Sequence, residues 1–210
     1  MINTCCFCDI NAGKAEGIEN KKIQENEKYF SLASIGPLVP GWILIIPKNH
    51  ILSMKDLYNQ NDFIDFANET LRTVKRCFPG PVIAFEHGPS KHNSVTACGT
   101  NHAHLHLVPY RSSLYPDMVA TGLAWESCTA SQVSSIAGVN EYFFYSELPS
   151  NSSWKDPKGF IHVLEESESQ FFRQLIAKQL GRSDEFNYKK FPHTHLAIET
   201  SLTLSRVSAE

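Results

Sequence analysis

Short apolar runs separated by turn residues dominate the first half of the chain. Residues 29–35 and 42–46 are two such runs, and the dipeptides at 36–37 and 40–41 between them pair glycine with proline. A third run covers residues 82–86 and follows a Pro-Gly-Pro sequence. Apolar runs of this length bounded by glycine and proline are typical of buried strands, so we predict three strands here.

Longer segments with helical spacing lie between and after these strands. Apolar residues recur every three to four positions across residues 52–78, which predicts a short helix followed by a longer one that begins near Asn61. Asn61 is a residue type that caps helices, and Asp62 suits a first turn. Residues 167–180 show similar spacing, with Ser167 as the candidate cap.

The second half of the chain has a weaker pattern. Residues 141–146 and 160–164 are candidate strands, separated by a turn-rich stretch. We therefore predict an α+β fold, with a dense unit over residues 1–110. Residues 111–210 are expected to form a C-terminal extension packed on that core, not an independent domain.

One segment alternates histidine with apolar residues. It reads His102-Ala103-His104-Leu105-His106-Leu107-Val108. In a strand, alternate side chains point to opposite faces, so the three imidazoles would share one face at a spacing of ~6.6 Å while the apolar side chains face the core. Such a row suits a metal site, a phosphate site or a nucleophile with its acid. A polar outer strand without chemistry is the remaining reading.

Composition narrows the range of functions. The net charge is −3 and the pI is about 6.3, which argues against a nucleic-acid surface. The hydrophobic fraction of 42% is enough for a core. No apolar run approaches the ~20 residues of a membrane span, and the first residues lack the basic start of a secretory signal. We therefore expect a cytoplasmic protein without nucleic-acid or membrane partners. Its six cysteines are too few and too scattered for a disulfide framework.

Several segments together resemble the histidine triad (HIT) superfamily. The alternating histidines match its signature of His, apolar, His, apolar, His and two apolar residues. Three other blocks follow the family's order: Cys5-Cys6-Phe7-Cys8-Asp9-Ile10, Gly41-Trp42-Ile43-Leu44-Ile45-Ile46-Pro47-Lys48-Asn49-His50 and Phe85-Glu86-His87-Gly88. The resemblance covers about residues 5–110.

This resemblance implies a HIT-like antiparallel sheet with helices packed on one face, and a nucleotide substrate. In the family the middle histidine attacks the α-phosphorus of a nucleotide, which assigns the nucleophile to His104 and a donor to the phosphate oxygens to His106. The turn Gly99, Thr100 and Asn101 would bind the leaving phosphate, and His87 would face the same cleft. The implied substrates are nucleoside phosphoramidates, dinucleoside polyphosphates and related conjugates. Relatives are often homodimers, which implies a homodimer here.

Two positions relate to known branches of the family. Many members carry serine three residues before the first histidine, where this chain has Gly99, so a donor is lost unless Thr100 or Asn101 supplies it. Transferase and phosphorylase branches carry glutamine in place of the third histidine, and this chain keeps His106. That favours a hydrolase. A nucleotidyltransferase of the uridylyl, adenylyl or phosphorylase type, and a non-catalytic zinc-stabilised nucleotide-binding module, remain alternatives.

The first cysteines form a candidate metal site. Cys5 and Cys8 have the Cys-x-x-Cys spacing that suits two thiolates on tetrahedral zinc. Zinc-bearing relatives complete such a site with the residues that correspond to His50 and His102, which implies a structural zinc here. Two reduced thiols without metal are the alternative. Cys6 stands where the family has an apolar residue, so we expect it to face the core.

A late segment, Ser-Gln-Phe-Phe-Arg at residues 169–173, resembles a stretch that some longer relatives hold near the nucleotide. Gln170 and Arg173 are three residues apart and would share one face of the predicted helix. The two phenylalanines between them are expected in the core.

Overall fold

The computed structural model describes residues 5–208 of the 210-residue chain. Residues 1–4, which were considered above for a secretory signal, lie outside the described range. Its eight strands form one sheet in which every pairing is antiparallel. The strands are β1 (Gln24–Glu25), β2 (Tyr29–Ala33), β3 (Ile43–Pro47), β4 (Val82–Gly88), β5 (Leu105–Pro109), β6 (Glu126–Thr129), β7 (Tyr142–Leu148) and β8 (Lys158–Val163). Their order across the sheet is β1-β2-β3-β5-β4-β7-β8-β6.

Six α-helices accompany the sheet in the described range. They are α1 (Cys6–Asn11), α2 (Asn61–Cys77), α3 (Tyr115–Ala120), α4 (Val133–Ala137), α5 (Phe171–Gln179) and α6 (Thr194–Ser208). Among residues 5–208, no helix combines the length and the apolar composition that a bilayer span requires. The predicted α+β fold with an antiparallel sheet is confirmed.

The two faces of the sheet carry separate cores. Phe63, Phe66 and Leu71 of α2 pack with alternate strand residues such as Ile45 and Leu107 on one face, which we call the α2 face. On the opposite face, the α5 face, Phe172 and Ile176 of α5 pack with the intervening strand residues, among them Phe85, Val108 and Phe143. Burial on both faces explains why the central strands read as continuous apolar runs.

Local chemistry shifts several element boundaries from the prediction. Residues 52–60 contain turns, with the Leu57 N–H bonded to the Met54 carbonyl at 2.8 Å, and not a short helix. The N-cap of α2 is Gln60, so Asn61 is not the cap. Ser167 is not a cap either, because its hydroxyl donates to Glu141 at 2.7 Å and α5 begins at Phe171.

Candidate functional site

The alternating histidines enter the sheet later than the pattern predicts. Strand β5 begins at Leu105, so His102 and His104 precede it in backbone that pairs differently: the Ala103 N–H donates to the Ile51 carbonyl at 2.7 Å. The prediction of one strand over the whole segment was wrong at this end. Ala103 nevertheless lies in the core of the α2 face together with Leu105 and Leu107.

The central imidazole, His104, is half-buried and lines a cavity. Its Nδ1 lies 2.8 Å from the backbone carbonyl oxygen of His102. A carbonyl only accepts, so Nδ1 carries the proton and Nε2 keeps its lone pair. Burial lowers the pKa of His104, which favours the neutral ring at pH 7. This is the protonation state that a nucleophilic imidazole requires.

The third histidine has the opposite tautomer. The indole Nε1 of Trp42 donates to Nδ1 of His106 at 3.0 Å, which leaves the proton of the neutral ring on Nε2. Burial holds the pKa of His106 well below its usual value, and the ring stacks on Phe85 with centroids 4.5 Å apart. His106 Nε2 is therefore a hydrogen-bond donor, and its ring centroid lies 4.9 Å from that of His104.

A cavity of about 300 Å³ lies beside these two rings. One part of its lining is apolar and consists of Phe7, Ile10, Leu32, Ile35 and Leu44. The remainder includes the turn Cys98, Gly99 and Thr100 together with His87, Gln170, Arg173 and Tyr188. Such a lining, apolar in one part and polar in the other, suits a ligand with an apolar group and a charged group.

The structure brings most of the predicted substrate-binding residues to this cavity. Gly99, Thr100 and His87 line it. His87 is 6% exposed, burial lowers its pKa to about 3, and its Nε2 has no hydrogen-bond partner. Asn101 lies apart in a neighbouring cavity, where its side chain bonds the backbone N–H and the side chain of Asn93.

The C-terminal half contributes to the same cavity. Gln170 and Arg173 reach it from the start of α5, and Tyr188 reaches it from the following loop, where its hydroxyl donates to the Cys98 carbonyl at 2.8 Å. Sequence reasoning missed Tyr188. Its immediate neighbours Asn187 and Lys189 are polar, and no periodicity links it to Cys98, 90 positions earlier.

Four side chains converge at the start of α1. The ligand atoms of Cys5, Cys8, His50 and His102 all lie within 4.8 Å of one another. His102 Nδ1 lies 3.2 Å from the Cys5 sulfur, and His50 Nδ1 lies 3.3 Å from the Cys8 sulfur. Tetrahedral zinc with ordinary bond lengths sets a nitrogen–sulfur separation of about 3.6 Å, so the cluster is compatible with zinc.

The protonation pattern of the cluster also fits a cation. His102 Nε2 lies 2.7 Å from the Pro47 carbonyl, which places the proton on Nε2 and turns the lone pair of Nδ1 toward the thiols. Burial, followed by the neighbouring Cys5 thiol, raises the pKa of the Cys8 thiol to about 11. Two thiolates at this position therefore need a positive charge beside them.

Cys6 differs from its prediction. The residue is exposed, because α1 places it one position away from each of the inward-facing neighbours Cys5 and Phe7. The expectation that it faces the core was wrong. It borders both the cavity beside His104 and the neighbouring cavity that contains Asn101.

Comparisons with known proteins show which family this part of the chain resembles. Residues 15–113 match the model of the HIT domain. An uncharacterised HIT-like protein, found in two strains of Mycobacterium tuberculosis, is 28% identical over 112 residues, which are 51% of this chain and 72% of that protein.

Solved structures that are similar in part include a zinc-bound histidine triad family protein from Mycobacterium smegmatis. It has 26% identity and a TM-score of 0.39, and covers 52% of this chain and 77% of that one. A HIT-like protein from Bartonella henselae has 18% identity and a TM-score of 0.41, and covers 54% of this chain and 83% of that one.

The matched range contains His50 and all three alternating histidines, whereas Cys5 and Cys8 precede it and α3 to α6 follow it. Residues 15–113, just under half of the chain, are therefore a HIT domain.

Proposed function

We propose that this protein is a nucleotidyl hydrolase that works through a covalent intermediate on His104. The HIT domain supports a nucleotide-related function. The observation that carries the finer proposal is the pair of opposite tautomers: the His102 carbonyl leaves a lone pair on Nε2 of His104, and Trp42 leaves a proton on Nε2 of His106. One ring can attack phosphorus while its neighbour donates to a phosphate oxygen.

The reaction has two steps. His104 Nε2 forms a bond to the α-phosphorus, and the bond from phosphorus to the leaving group breaks with its electron pair on the leaving group. Water then attacks the same phosphorus, the phosphorus–nitrogen bond returns its electrons to the ring, and the nucleoside monophosphate departs. Donation from His106 Nε2 stabilises the charge that develops on the equatorial oxygens in both steps, worth ~3 kcal/mol per donor.

A structural zinc is part of the same proposal. Cys5, Cys8, His50 and His102 would hold it, and it would supply no chemistry beyond tying α1 to the segment that precedes β5. His102 would act as ligand through Nδ1 while its own carbonyl orients His104. The metal site and the nucleophile therefore share one short stretch of backbone.

Chemical trapping of the intermediate tests the proposal. The protein would be mixed with diadenosine tetraphosphate, adenosine 5′-phosphoramidate and related nucleotides, quenched, and analysed for phosphorus on histidine by mass spectrometry. We expect an adenylyl adduct on His104. His104→Ala should lower turnover by about 10³-fold or more while nucleotide binding changes little.

His162→Ala is the matched control. His162 Nδ1 also lies 2.8 Å from a backbone carbonyl, that of Ala124, but the residue is not among those that line the cavity. Turnover should be unchanged in this variant. Nucleotide binding without an adduct would favour a binding module, and nucleotide adducts of added orthophosphate or sugar phosphates would favour a transferase.

A further inference from the structure

Three residues that line the cavity are joined to one another by hydrogen bonds. They are Cys98, in the turn before the alternating histidines, and Gln170 and Tyr188, which lie beyond the residues that match the HIT domain. The Tyr188 hydroxyl donates to the Cys98 carbonyl at 2.8 Å, the Gln170 N–H donates to the Cys98 sulfur at 3.2 Å, and the Tyr188 N–H donates to Gln170 Oε1 at 3.2 Å. Each residue is therefore bonded to the other two, and we call this set the cavity brace.

The cavity brace holds its backbone in a conformation that most residues avoid. Cys98 has a φ of +53° and Gln170 has a φ of +59°, both in the left-handed region that favours glycine. Residues in this region persist where surrounding contacts fix them, and they cluster at functional sites. Here those contacts come from the C-terminal half of the chain, which therefore maintains the shape of the turn at Cys98.

Tyr188 has a defined position in this brace. The backbone of Gly36 approaches it so closely that a Cβ on Gly36 would lie 2.5 Å from the Cβ of Tyr188, and the Gly36 N–H donates to the Pro192 carbonyl at 2.7 Å. The Arg173 guanidinium lies 5.8 Å from the centroid of the Tyr188 ring. Burial raises the pKa of Tyr188, so its hydroxyl keeps the proton that it donates to Cys98.

The bond from Tyr188 fixes the peptide unit between Cys98 and Gly99. In a trans peptide the carbonyl and the following N–H point in opposite directions. Because the Cys98 carbonyl points toward the Tyr188 hydroxyl, the Gly99 N–H points away from it. Among residues 5–208, no backbone acceptor bonds this N–H, and Gly99 lines the cavity together with His104. The N–H is therefore a donor of fixed direction that a ligand can use.

We propose that Tyr188 is a positioning residue for the reaction on His104, and that it acts through the Cys98 carbonyl to keep the Gly99 N–H directed at an oxygen of the bound phosphate group. This inference rests on the proposed function. A backbone N–H that is oriented in advance stabilises the negative charge that develops on phosphate oxygens in the transition state. A reversed peptide would instead present the Cys98 carbonyl oxygen, which repels such an oxygen.

Nuclear magnetic resonance can observe this peptide directly. The sequence contains a single Cys-Gly pair, at residues 98–99, so labelling cysteine carbonyls with ¹³C and glycine with ¹⁵N identifies the Gly99 amide. When the wild type is titrated with adenosine 5′-monophosphate, we expect the Gly99 amide proton to move downfield, because a phosphate oxygen is a strong acceptor. In Tyr188→Phe this movement should be lost or much smaller.

Tyr110→Phe is the matched control. The Tyr110 hydroxyl also donates one hydrogen bond, to Gln179 Oε1 at 2.9 Å, but the residue is not among those that line the cavity. Each variant loses one tyrosine hydrogen bond, so we expect similar decreases in Tm, of about 2–4 °C. With diadenosine tetraphosphate, Tyr188→Phe should lower kcat about tenfold with KM within about twofold. Tyr110→Phe should leave both constants unchanged and should keep the response of Gly99.

A Gly99 amide that does not move in the wild type, or that moves equally in Tyr188→Phe, would overturn the role of Tyr188. Equal kcat values in the two tyrosine variants would also overturn it. The adduct on His104 tests the proposed function separately. An adduct without a response at Gly99 would reject the positioning role alone. A response that depends on Tyr188, in a protein that forms no adduct, would support the orientation of the Gly99 N–H toward phosphate and reject the hydrolase.

Discussion

A single indole N–H determines the protonation state of His106. Trp42 lies directly before β3 and is fully buried. Its Nε1 makes the hydrogen bond that leaves the ring proton of His106 on Nε2. The sequence predicts Trp42 as the first residue of an apolar run and gives no sign of this bond. The reason is that the partner ring lies 64 positions later, and only the pairing of β3 with β5 brings the two together.

Replacing this donor should slow the reaction without abolishing binding. In Trp42→Phe, Nδ1 of His106 loses its donor, and the ring can move its proton from Nε2 to Nδ1. We expect kcat to fall roughly tenfold, equivalent to ~1.4 kcal/mol in the barrier, with KM changed less than about twofold. Steady-state kinetics with the best substrate measures both constants.

Trp154→Phe is the matched control, because Trp154 is equally buried and its Nε1 donates to the Tyr58 carbonyl at 3.3 Å, on the α2 face. Both variants lose one buried hydrogen bond, so both should lose stability by about 1 kcal/mol or more. Equal kcat values in the two variants would contradict a role for Trp42 in orienting His106.

A second prediction at the scale of single residues concerns Glu86 and the pH dependence of folding stability. Its carboxylate is 1% exposed and accepts from the Met54 N–H, the Tyr58 hydroxyl at 2.5 Å and the Tyr142 hydroxyl. Burial outweighs these bonds and raises its pKa to about 7. Between the pKa of Glu86 in the unfolded protein and pH 7, the folded protein therefore binds the Glu86 proton more tightly than the unfolded protein does. The contribution of Glu86 to stability decreases as pH rises through that range.

The prediction is a difference between two proteins. Relative to Glu86→Gln, the wild type should lose about 3 kcal/mol of unfolding free energy between pH 4.5 and pH 7, and then level off. Buried histidines with lowered pKa values, such as His87 and His102, act in the opposite direction but equally in both proteins. Denaturant unfolding at a series of pH values measures the difference, and a constant difference would contradict the raised pKa.

At the scale of elements, apolar periodicity predicts the middle of strands better than their ends. The alternation over residues 102–108 correctly places Ala103, Leu105 and Leu107 in the core of the α2 face, yet β5 starts only at Leu105. Ala103 keeps the alternation although its N–H bonds Ile51 outside the sheet, so the pattern does not show where the strand begins. Ser167 likewise has the chemistry of a helix cap but bonds Glu141, a partner that depends on the position of β7.

The metal cluster links two elements, α1 and the segment before β5, and its geometry can be tested by metal content. Cys8→Ser should lower the zinc that co-purifies to well below one equivalent and lower the Tm, because a closed site loses a ligand. Cys6→Ser should retain both values, since Cys6 lies in the same helix but outside the cluster. Elemental analysis and thermal unfolding provide the measurements. Equal zinc in the two variants would reject the ligand set.

The position of Tyr188 beside the cavity could not be predicted from the sequence. Its neighbours Asn187 and Lys189 are polar, and a solvated loop is the ordinary prediction for such a stretch. The hydrogen bonds that hold this loop, from the Gly36 N–H to the Pro192 carbonyl and from the Tyr188 hydroxyl to the Cys98 carbonyl, join residues far apart in the chain.

At the scale of the whole molecule, the sheet continues beyond the HIT domain. β7 pairs with β4 at seven positions from Val82 to Gly88, and all seven β4 residues are buried. On the α5 face, opposite the face that packs against α2, the same strands are covered by α5. We therefore expect residues 111–210 to be an extension of one folding unit.

Truncation tests this unity. A chain ending at residue 113 would expose the edge of β4 and the apolar side chains that now pack against α5, such as Phe85 and Val108. It should be insoluble or lack a cooperative unfolding transition, whereas the full chain should unfold in a single step. A soluble, cooperatively folded fragment that still binds nucleotides would show that the HIT domain is independent.

The sheet ends on both sides in its shortest strands, the two residues of β1 and the four residues of β6. Short outer strands present few free backbone donors and acceptors for another chain to add to. Fibre-like growth by strand addition is therefore disfavoured at either margin. If two copies of this protein associate, they should do so through helices and loops. The sheets of the two copies would then not be joined by backbone hydrogen bonds.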